Sequence, residues 1–354
     1  MISGRLSHLL ASVSELPAEA RAKVAAILGA VVADAASVPL QWIYEDEQLR
    51  GIVGEEAPEF WPECRCPYYT LPTGSPSCYG AEMAATLATL ARDGQVKPAN
   101  IAAALQTVFG EPESPYQVAL ATRRAEKKYP VSGPWINAAV IMSLQNMKKG
   151  KDPPGSQLPD NDGFTTALPA FLLNMKEEGK KVKKGKKKQV NKAELAKEVS
   201  SLVTVHSLAV SHTRLQNLIV ANHISRVEDP VTAARNTLAA ECPEVAAGVD
   251  TVLAAARAGL GVAEVVASSG KECSLPGSCL GGLASVLLAP DLVTAVRLNI
   301  LAGGDCCSRA NFIGAVFGAR DGVEAIPIEW MEKVSNIEVI FEKCFESCCI
   351  SYVI

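Results

Sequence analysis

The sequence predicts an all-α fold, on the grounds of its composition, its helical periodicity and its scarcity of strand patterns. Of the 354 residues, 48% are hydrophobic and 20% are charged, a balance that can bury a large core. Aromatic residues make up only 5% while alanine is abundant, which favours closely packed helices over a sheet. We therefore expect a single compact multi-helix domain over residues 1–354, with a core of about residues 20–335.

The helical patterns in the first half are separated by turn-forming residues. Residues 18–38 carry apolar positions at helical spacing, and Pro39 limits their continuation. Residues 51–77 are rich in Gly, Pro and Cys and predict a long irregular loop. Apolar spacing predicts further helices over residues 81–92 (ending near Gly94), 97–109, 115–127 and about 137–148.

A lysine-rich segment at about residues 176–193 precedes the second group of helices. Its charge density and its lack of apolar spacing predict a solvated loop insertion, with docking on an acidic surface as the alternative. Helical spacing then resumes between short turns. The predicted helices cover residues 192–210, 213–226, 229–240, 245–258, 261–268, 279–288, 291–302 and 306–319, and a short helix that begins at Pro327.

Charge and cysteine usage limit the classes of partner and compartment. The net charge of -4 gives no global field that would attract nucleic acid, so no nucleic-acid partner is expected. The N-terminus lacks a signal-peptide pattern, and no run of about 18 uninterrupted apolar residues predicts a membrane span. The 11 scattered cysteines are typical of free thiols in a reducing compartment, so we expect a cytoplasmic protein.

Two segments place a carboxylate where a polar site could form. Gly303-Gly304-Asp305 ends one helical pattern and opens another, and Asp305 could cap the next helix near Ser308. Asp34 lies inside an apolar helical run, where a carboxylate is costly unless it is paired, hydrogen-bonded or metal-bound. Each residue is therefore either a helix cap or a candidate catalytic residue.

The order of these segments carries a family resemblance. The N-terminal motif reads Ala33-Asp34-Ala-Ala-Ser-Val-Pro39-Leu-Gln41, and the C-terminal one reads Gly303-Gly-Asp-Cys-Cys-Ser308, followed by Ala325-Ile-Pro327. The chain also contains Ser77-Cys-Tyr-Gly80, Gly133-Pro-Trp135 and Cys273-Ser-Leu-Pro-Gly-Ser278. With these motifs the chain resembles the ADP-ribosylglycohydrolase family, and more closely its J1-crystallin and selenoprotein J branch.

The resemblance implies a paired magnesium site. In active members this site cleaves the glycosidic bond between ADP-ribose and a protein side chain, or a related N- or O-glycoside. Magnesium requires hard oxygen ligands, mostly carboxylates and waters. In this chain the family's Thr-Asp-Asp-Thr run falls on Cys78-Tyr79-Gly80-Ala81, its glutamate on Gln41, and its second C-terminal aspartate on Cys307.

The remaining metal ligands suggested by the resemblance are Asp305 and the hydroxyl of Ser308. They are too few for two magnesium ions, so we expect no cofactor, with magnesium as the cofactor if the site is functional. The carboxylates of Glu82, Glu45 or Asp46 are conceivable substitutes, although their register does not favour them.

Cysteines replace several of the lost ligands and suggest another chemistry. Cys78, Cys306 and Cys307 would all approach the former metal site and are candidate catalytic residues. A thiolate prefers softer metals than magnesium, and a cysteine at a helix N-terminus has a lowered pKa. The site is therefore either a redox or zinc-binding thiol site, or a place where small thiols fill space left by lost ligands.

Three further residues are candidate ligand contacts. Trp135 could stack on a nucleobase, His212 follows a helical pattern at a position where the family often has histidine, and Arg309 could bind a phosphate. Each of them could equally be a packed or capping residue. We expect an atypical family member without binuclear magnesium hydrolysis, structural or ligand-binding, with ADP-ribose or a related small molecule as its partner. The alternatives are a hydrolase with a rearranged metal site and a thiol-based redox protein.

Overall fold

The computed structural model describes residues 4–173 and 192–353, and it confirms the all-α prediction. Two 3-10 turns, Val38–Leu40 and Val323–Ala325, interrupt the α-helices. Within the described ranges, strand structure is confined to β1 (Tyr69–Thr70) and β2 (Val131–Ser132), which pair in parallel. The α-helices are α1 (Gly4–Ser14), α2 (Ala18–Ser37), α3 (Asp46–Val53), α4 (Cys78–Asp93), α5 (Pro98–Gly110), α6 (Pro115–Glu126), α7 (Ala138–Lys148), α8 (Asp162–Leu173), α9 (Lys192–Ser200), α10 (Ser207–Ile224), α11 (Pro230–Leu238), α12 (Pro243–Arg257), α13 (Val262–Ser269), α14 (Gly277–Leu288), α15 (Leu292–Leu301), α16 (Cys306–Asp321), α17 (Ile328–Met331) and α18 (Ile337–Val353).

Most predicted helices are present, and the differences have local causes. The pattern over residues 192–210 is not one helix, because the chain between α9 and α10 pairs with a distant segment. Ser156 N–H donates to the carbonyl of Val203 (2.9 Å), and Val205 N–H donates to the carbonyl of Ser156 (2.9 Å). The prediction missed α1, α3 and α8. The lysine-rich insertion predicted at about residues 176–193 falls almost wholly outside the described residues.

The centre of the fold is a close pair of helices, α2 and α16. A Cβ atom on Gly314 would lie 2.0 Å from the carbonyl oxygen of Gly29, so only glycine allows this backbone contact. Among the described helices, one region, Ala18–Leu40, is long and apolar enough to cross a membrane. Its apolar window is completely buried inside the fold, as expected for the core helix of a globular domain.

The largest apolar core surrounds this pair and draws side chains from Leu6 to Cys344. A second cluster lies among α4 to α9 and includes Phe109 and Val140. In contrast to these apolar clusters, one end of the α2–α16 pair is polar. There, the C-terminus of α2 and the N-termini of α4 and α16 converge through the hydrogen bonds of Asp34 and Asp305. The candidate site lies at this junction.

Candidate functional site

Asp305 is the fully buried N-cap of α16, and protein donors engage both of its carboxylate oxygens. Oδ1 accepts from the side-chain amide of Gln41 (2.6 Å) and from the N–H of Ser308 (3.0 Å). Oδ2 accepts from the hydroxyl of Tyr79 (3.0 Å). The Ser308 hydroxyl donates to the main-chain carbonyl of Asp305 (2.9 Å). The two residues predicted as remnant metal ligands are thus joined by a helix cap.

Gln41 connects Asp305 to the start of α16. Its Nε2 donates to Asp305 Oδ1, and its Oε1 accepts from the N–H of Cys307 (2.8 Å) and from the thiol of Cys306 (3.3 Å). A glutamate here would set a second negative charge against Asp305, and a proton or a cation would be needed to balance the pair. The neutral Gln41 amide forms hydrogen bonds with Asp305, Cys306 and Cys307 without adding a charge.

Asp34 stabilises the start of α4. Its carboxylate accepts from the N–H of Ser77 (2.8 Å), the hydroxyl of Ser77 (2.6 Å) and the side-chain amide of Asn311 (3.0 Å). A Cβ on Gly80 would lie 2.2 Å from Asp34 Oδ2, so the glycine allows the carboxylate to approach the helix. Burial raises the pKa of Asp34 to about 6, although these hydrogen bonds act in the opposite direction.

The three cysteine candidates are buried but do not form one cluster. Cys306 and Cys307 lie together beside Gln41, whereas Cys78 packs in the second apolar core and accepts from the N–H of Asn137 (3.4 Å). Burial raises the pKa of both Cys78 and Cys307 well above the usual thiol value. A reactive thiolate needs the opposite shift, so this geometry favours the space-filling interpretation.

A group of carboxyls that the sequence analysis did not single out lies beside this network. Asp160 lies two residues before α8 and Asp162 is the first residue of that helix. Asp162 Oδ1 accepts from the side-chain amide of Asn137 (2.9 Å). Burial and the charge of Asp160 raise the pKa of Asp162 to about 7. The turn-forming sequence Asp160-Asn-Asp-Gly163 before an apolar helix was the available signal.

The three carboxylates considered as substitute metal ligands lie in different environments. Glu82 is fully buried, accepts from the hydroxyl of Thr166 (2.9 Å) and lies beside Asp162. Burial and the Asp162 charge raise the pKa of Glu82 well above its usual value, so Glu82 is the protonated partner of that pair. Glu45 is exposed before α3, and Asp46 forms an ion pair with Lys271.

An open pocket of about 380 Å³ adjoins Asp160 and Asp162, and five of its twelve described lining residues are aromatic. The rings of Trp42 and Trp135 meet edge to face with centroids 5.1 Å apart. Tyr79 separates the pocket from Asp305, because it lines the pocket while its hydroxyl binds that carboxylate. Two larger grooves on the described surface include no residue of this network. The pocket is lined by Trp42, Tyr44, Tyr68, Tyr79, Trp135, Asn137, Ala138, Asp160, Asp162, Glu272, Cys273 and Ser274.

Of the three predicted ligand contacts, Trp135 lies in this pocket and the other two do not. His212 is buried in α10, where its Nδ1 meets the carbonyl of Leu208 (2.7 Å). Arg309 is fully buried, and its guanidinium donates to the side chain of Asn299 (2.6 Å) and to the carbonyl of Gly303 (2.6 Å). Arg309 therefore stabilises the turn before α16.

Comparison with known proteins relates this architecture to one family. The sequence model of the ADP-ribosylglycohydrolase family matches residues 17–350. A solved structure described as an ADP-ribosylglycohydrolase-related protein complex shares the fold, with a TM-score of 0.63 at 16% identity, over 95% of this chain and 100% of that one.

Two curated relatives, both from Tripedalia cystophora, agree with the predicted branch. Crystallin J1A is 26% identical over 323 residues, covering 90% of this chain and 93% of that protein. Crystallin J1B is 24% identical over 329 residues, covering 91% and 94%. Since the family match extends over nearly the whole sequence, the chain belongs to the ADP-ribosylglycohydrolase family, and its relatives include J1-crystallins.

Proposed function

We propose that this chain is an atypical family member that does not carry out binuclear magnesium hydrolysis and instead binds a small molecule in the aromatic pocket. The observation that carries the proposal is the position of Gln41, whose amide bridges Asp305 and the N–H of Cys307. A neutral group thereby does what a cation between two carboxylates would otherwise do. The magnesium of active members has no equivalent role here.

The donor chemistry supports the absence of a magnesium pair. Magnesium takes six oxygen ligands in near-octahedral geometry and usually retains several waters. Asp305 directs both oxygens to protein donors, Asp34 accepts three hydrogen bonds, and Ser308 directs its hydroxyl to a main-chain carbonyl. Over residues 4–173 and 192–353, no group of three or more His, Cys, Asp or Glu side chains is arranged to hold a metal.

A structural role is the second candidate, and the names of the two crystallin relatives favour it. The pocket distinguishes the two candidates. A pocket with aromatic and polar lining is typical of a binding protein and is not required of a purely structural one. Cytoplasmic localisation and a single domain over the whole chain remain part of the proposal.

Hydrolysis of a protein labelled with ADP-ribose tests the proposal. The chain is incubated with the labelled protein in magnesium or in EDTA, beside an active family member as a positive control. We expect no release of ADP-ribose above the buffer rate in either condition, because no cation is held at Asp305. Magnesium-dependent release would overturn the proposal in favour of a hydrolase with a rearranged site.

A further inference from the structure

Another pocket lies between α8, α9 and α10, and it is called the α10 pocket below. Its lining includes Phe171 of α8, Ala196 of α9 and Asn217 of α10, all three of them buried side chains. Its volume is about 490 Å³, which falls within the range of small-molecule sites. It shares no described lining residue with the aromatic pocket, so it is a separate cavity.

The side-chain amide of Asn217 is the buried polar group of the α10 pocket. Asn217 is only 2% exposed, although it lines the pocket. Its Oδ1 has no hydrogen-bond partner among the described residues and no accessible surface. Its Nδ2 also donates to no group in the described parts of the chain, but this atom keeps accessible surface. A ligand in the pocket can therefore reach Nδ2.

An amide without a partner is costly at such a depth. Burial removes the water that would otherwise bind the amide, and the folded protein gains nothing in return unless a new partner is supplied. Ser200, a buried polar neighbour in the same lining, shows the usual solution, because its hydroxyl donates to the carbonyl of Lys197 (3.0 Å). A ligand acceptor placed against Asn217 Nδ2 would remove the cost for the amide.

The charged residues of the α10 pocket balance one another. Its described lining contains two cations and two carboxylates, and Arg214 forms an ion pair with Glu241. The other two are also close, because Lys197 Nζ lies 3.7 Å from Glu194 Oε1. Such a pocket has no excess charge that would attract an ion, whereas the buried ring of Phe171 offers apolar surface.

We propose that the α10 pocket is a second small-molecule site, which takes an uncharged molecule with a carbonyl group on an apolar body, of the aromatic amide type. The carbonyl oxygen accepts a hydrogen bond from Asn217 Nδ2, and the apolar body lies against Phe171 and the half-buried Val210. This inference goes beyond the proposed function and does not depend on it, because the two pockets have no described residue in common.

Saturation-transfer NMR tests the proposal by following the transfer of signal from the protein to a probe during a titration. The probes are benzamide, benzoate with a negative charge, benzylammonium with a positive charge, and toluene without an acceptor. Benzamide should show saturable binding and bind most tightly, with the weak affinity of a ligand of this size. Equal or tighter binding of any other probe, or no saturable benzamide signal, would overturn the proposal.

Variants assign the binding to the α10 pocket. Asn217→Leu removes the donor at similar side-chain volume and should weaken benzamide binding by about three- to tenfold. Val210→Trp adds an indole at a half-buried wall position and should block the pocket. Gln216→Leu is the matched control and should bind as the parent does. Gln216 precedes Asn217 in α10, is fully buried, has no partner for either polar atom within the described ranges, and does not line the pocket.

Urea unfolding adds a readout that a structural role of Asn217 would reverse. Because the parent buries an amide without a partner, Asn217→Leu should unfold at the same urea concentration as the parent or at a higher one. A lower midpoint would mean that the amide stabilises the fold without a ligand, which would overturn the proposal. Benzamide binding that is unchanged in both Asn217→Leu and Val210→Trp would also overturn it. Release of ADP-ribose would contradict the proposed function alone.

Discussion

Replacing Gln41 by Glu is the most informative perturbation of the junction. The parent amide donates to Asp305 Oδ1 at 2.6 Å inside a buried network. In Gln41→Glu this hydrogen bond is lost and a second carboxylate faces Asp305. Two unit charges about 4 Å apart repel by about 4 kcal/mol at an effective dielectric constant of about 20. The lost charge-assisted hydrogen bond adds about 1.5–3 kcal/mol.

Protonation sets the upper limit of this destabilisation and gives it a pH dependence. Holding an ordinary glutamate protonated near pH 8 costs about 5 kcal/mol, and near pH 5 only about 1 kcal/mol. We therefore expect Gln41→Glu to lower the free energy of unfolding by about 4–5 kcal/mol near pH 8 and by about 1 kcal/mol near pH 5. A divalent cation should restore part of the loss in the variant, because it can bind between the two carboxylates.

Urea unfolding followed by circular dichroism measures these quantities, with and without magnesium or manganese. Gln216→Glu is the matched control, since Gln216 is also fully buried but has no hydrogen bond to Asp305. That control should lose stability without being rescued by the cation. A Gln41→Glu protein as stable as the parent near pH 8 would contradict this prediction. Equal stabilisation of the parent and the variant by the cation would contradict it as well.

Three further predictions concern the central helix pair and the junction at its end. Gly314→Ala should lower the free energy of unfolding by about 3 kcal/mol or more, because the added Cβ would meet the Gly29 carbonyl at 2.0 Å; urea unfolding with parent-like stability would contradict it. Because the pKa of Asp34 is raised to about 6 in the folded protein, folding binds a proton. The free energy of unfolding should therefore fall by about 3 kcal/mol from this group as pH rises from about 4 to 7. Asp34→Asn should flatten this pH dependence of stability, and an unchanged slope would contradict the prediction. Tyr79→Phe should lower stability by about 1–3 kcal/mol by leaving Asp305 Oδ2 without its donor, and a neutral effect in urea would show that this bond contributes nothing.

Helical periodicity predicted most of the fold because it reports which residues are buried along one face. It failed where tertiary hydrogen bonds override local preference, as between α9 and α10, where Ser156 pairs with the chain. It also missed α8, whose apolar run contains Pro169. A proline inside a helical pattern usually ends the helix, and only the surrounding packing retains it here.

The helix cap at Asp305 was predicted, but its hydrogen-bond partners were not. Gly-Gly-Asp before an apolar run correctly indicated that Asp305 caps α16. The partners of Asp305 could not be predicted in this way, because Gln41 and Tyr79 lie 264 and 226 residues away in sequence. The same is true of Asp162 and Glu82, which meet only once α4 and α8 pack together.

Counting bound manganese by electron paramagnetic resonance tests the central claim most directly, namely that the Gln41 amide replaces a cation beside Asp305. The protein is freed of metal and titrated with manganese, which takes the same oxygen ligands as magnesium. We predict that manganese stays in solution in the parent, with no tight site. Two manganese ions held per chain, and lost from an Asp305→Asn variant, would contradict the claim.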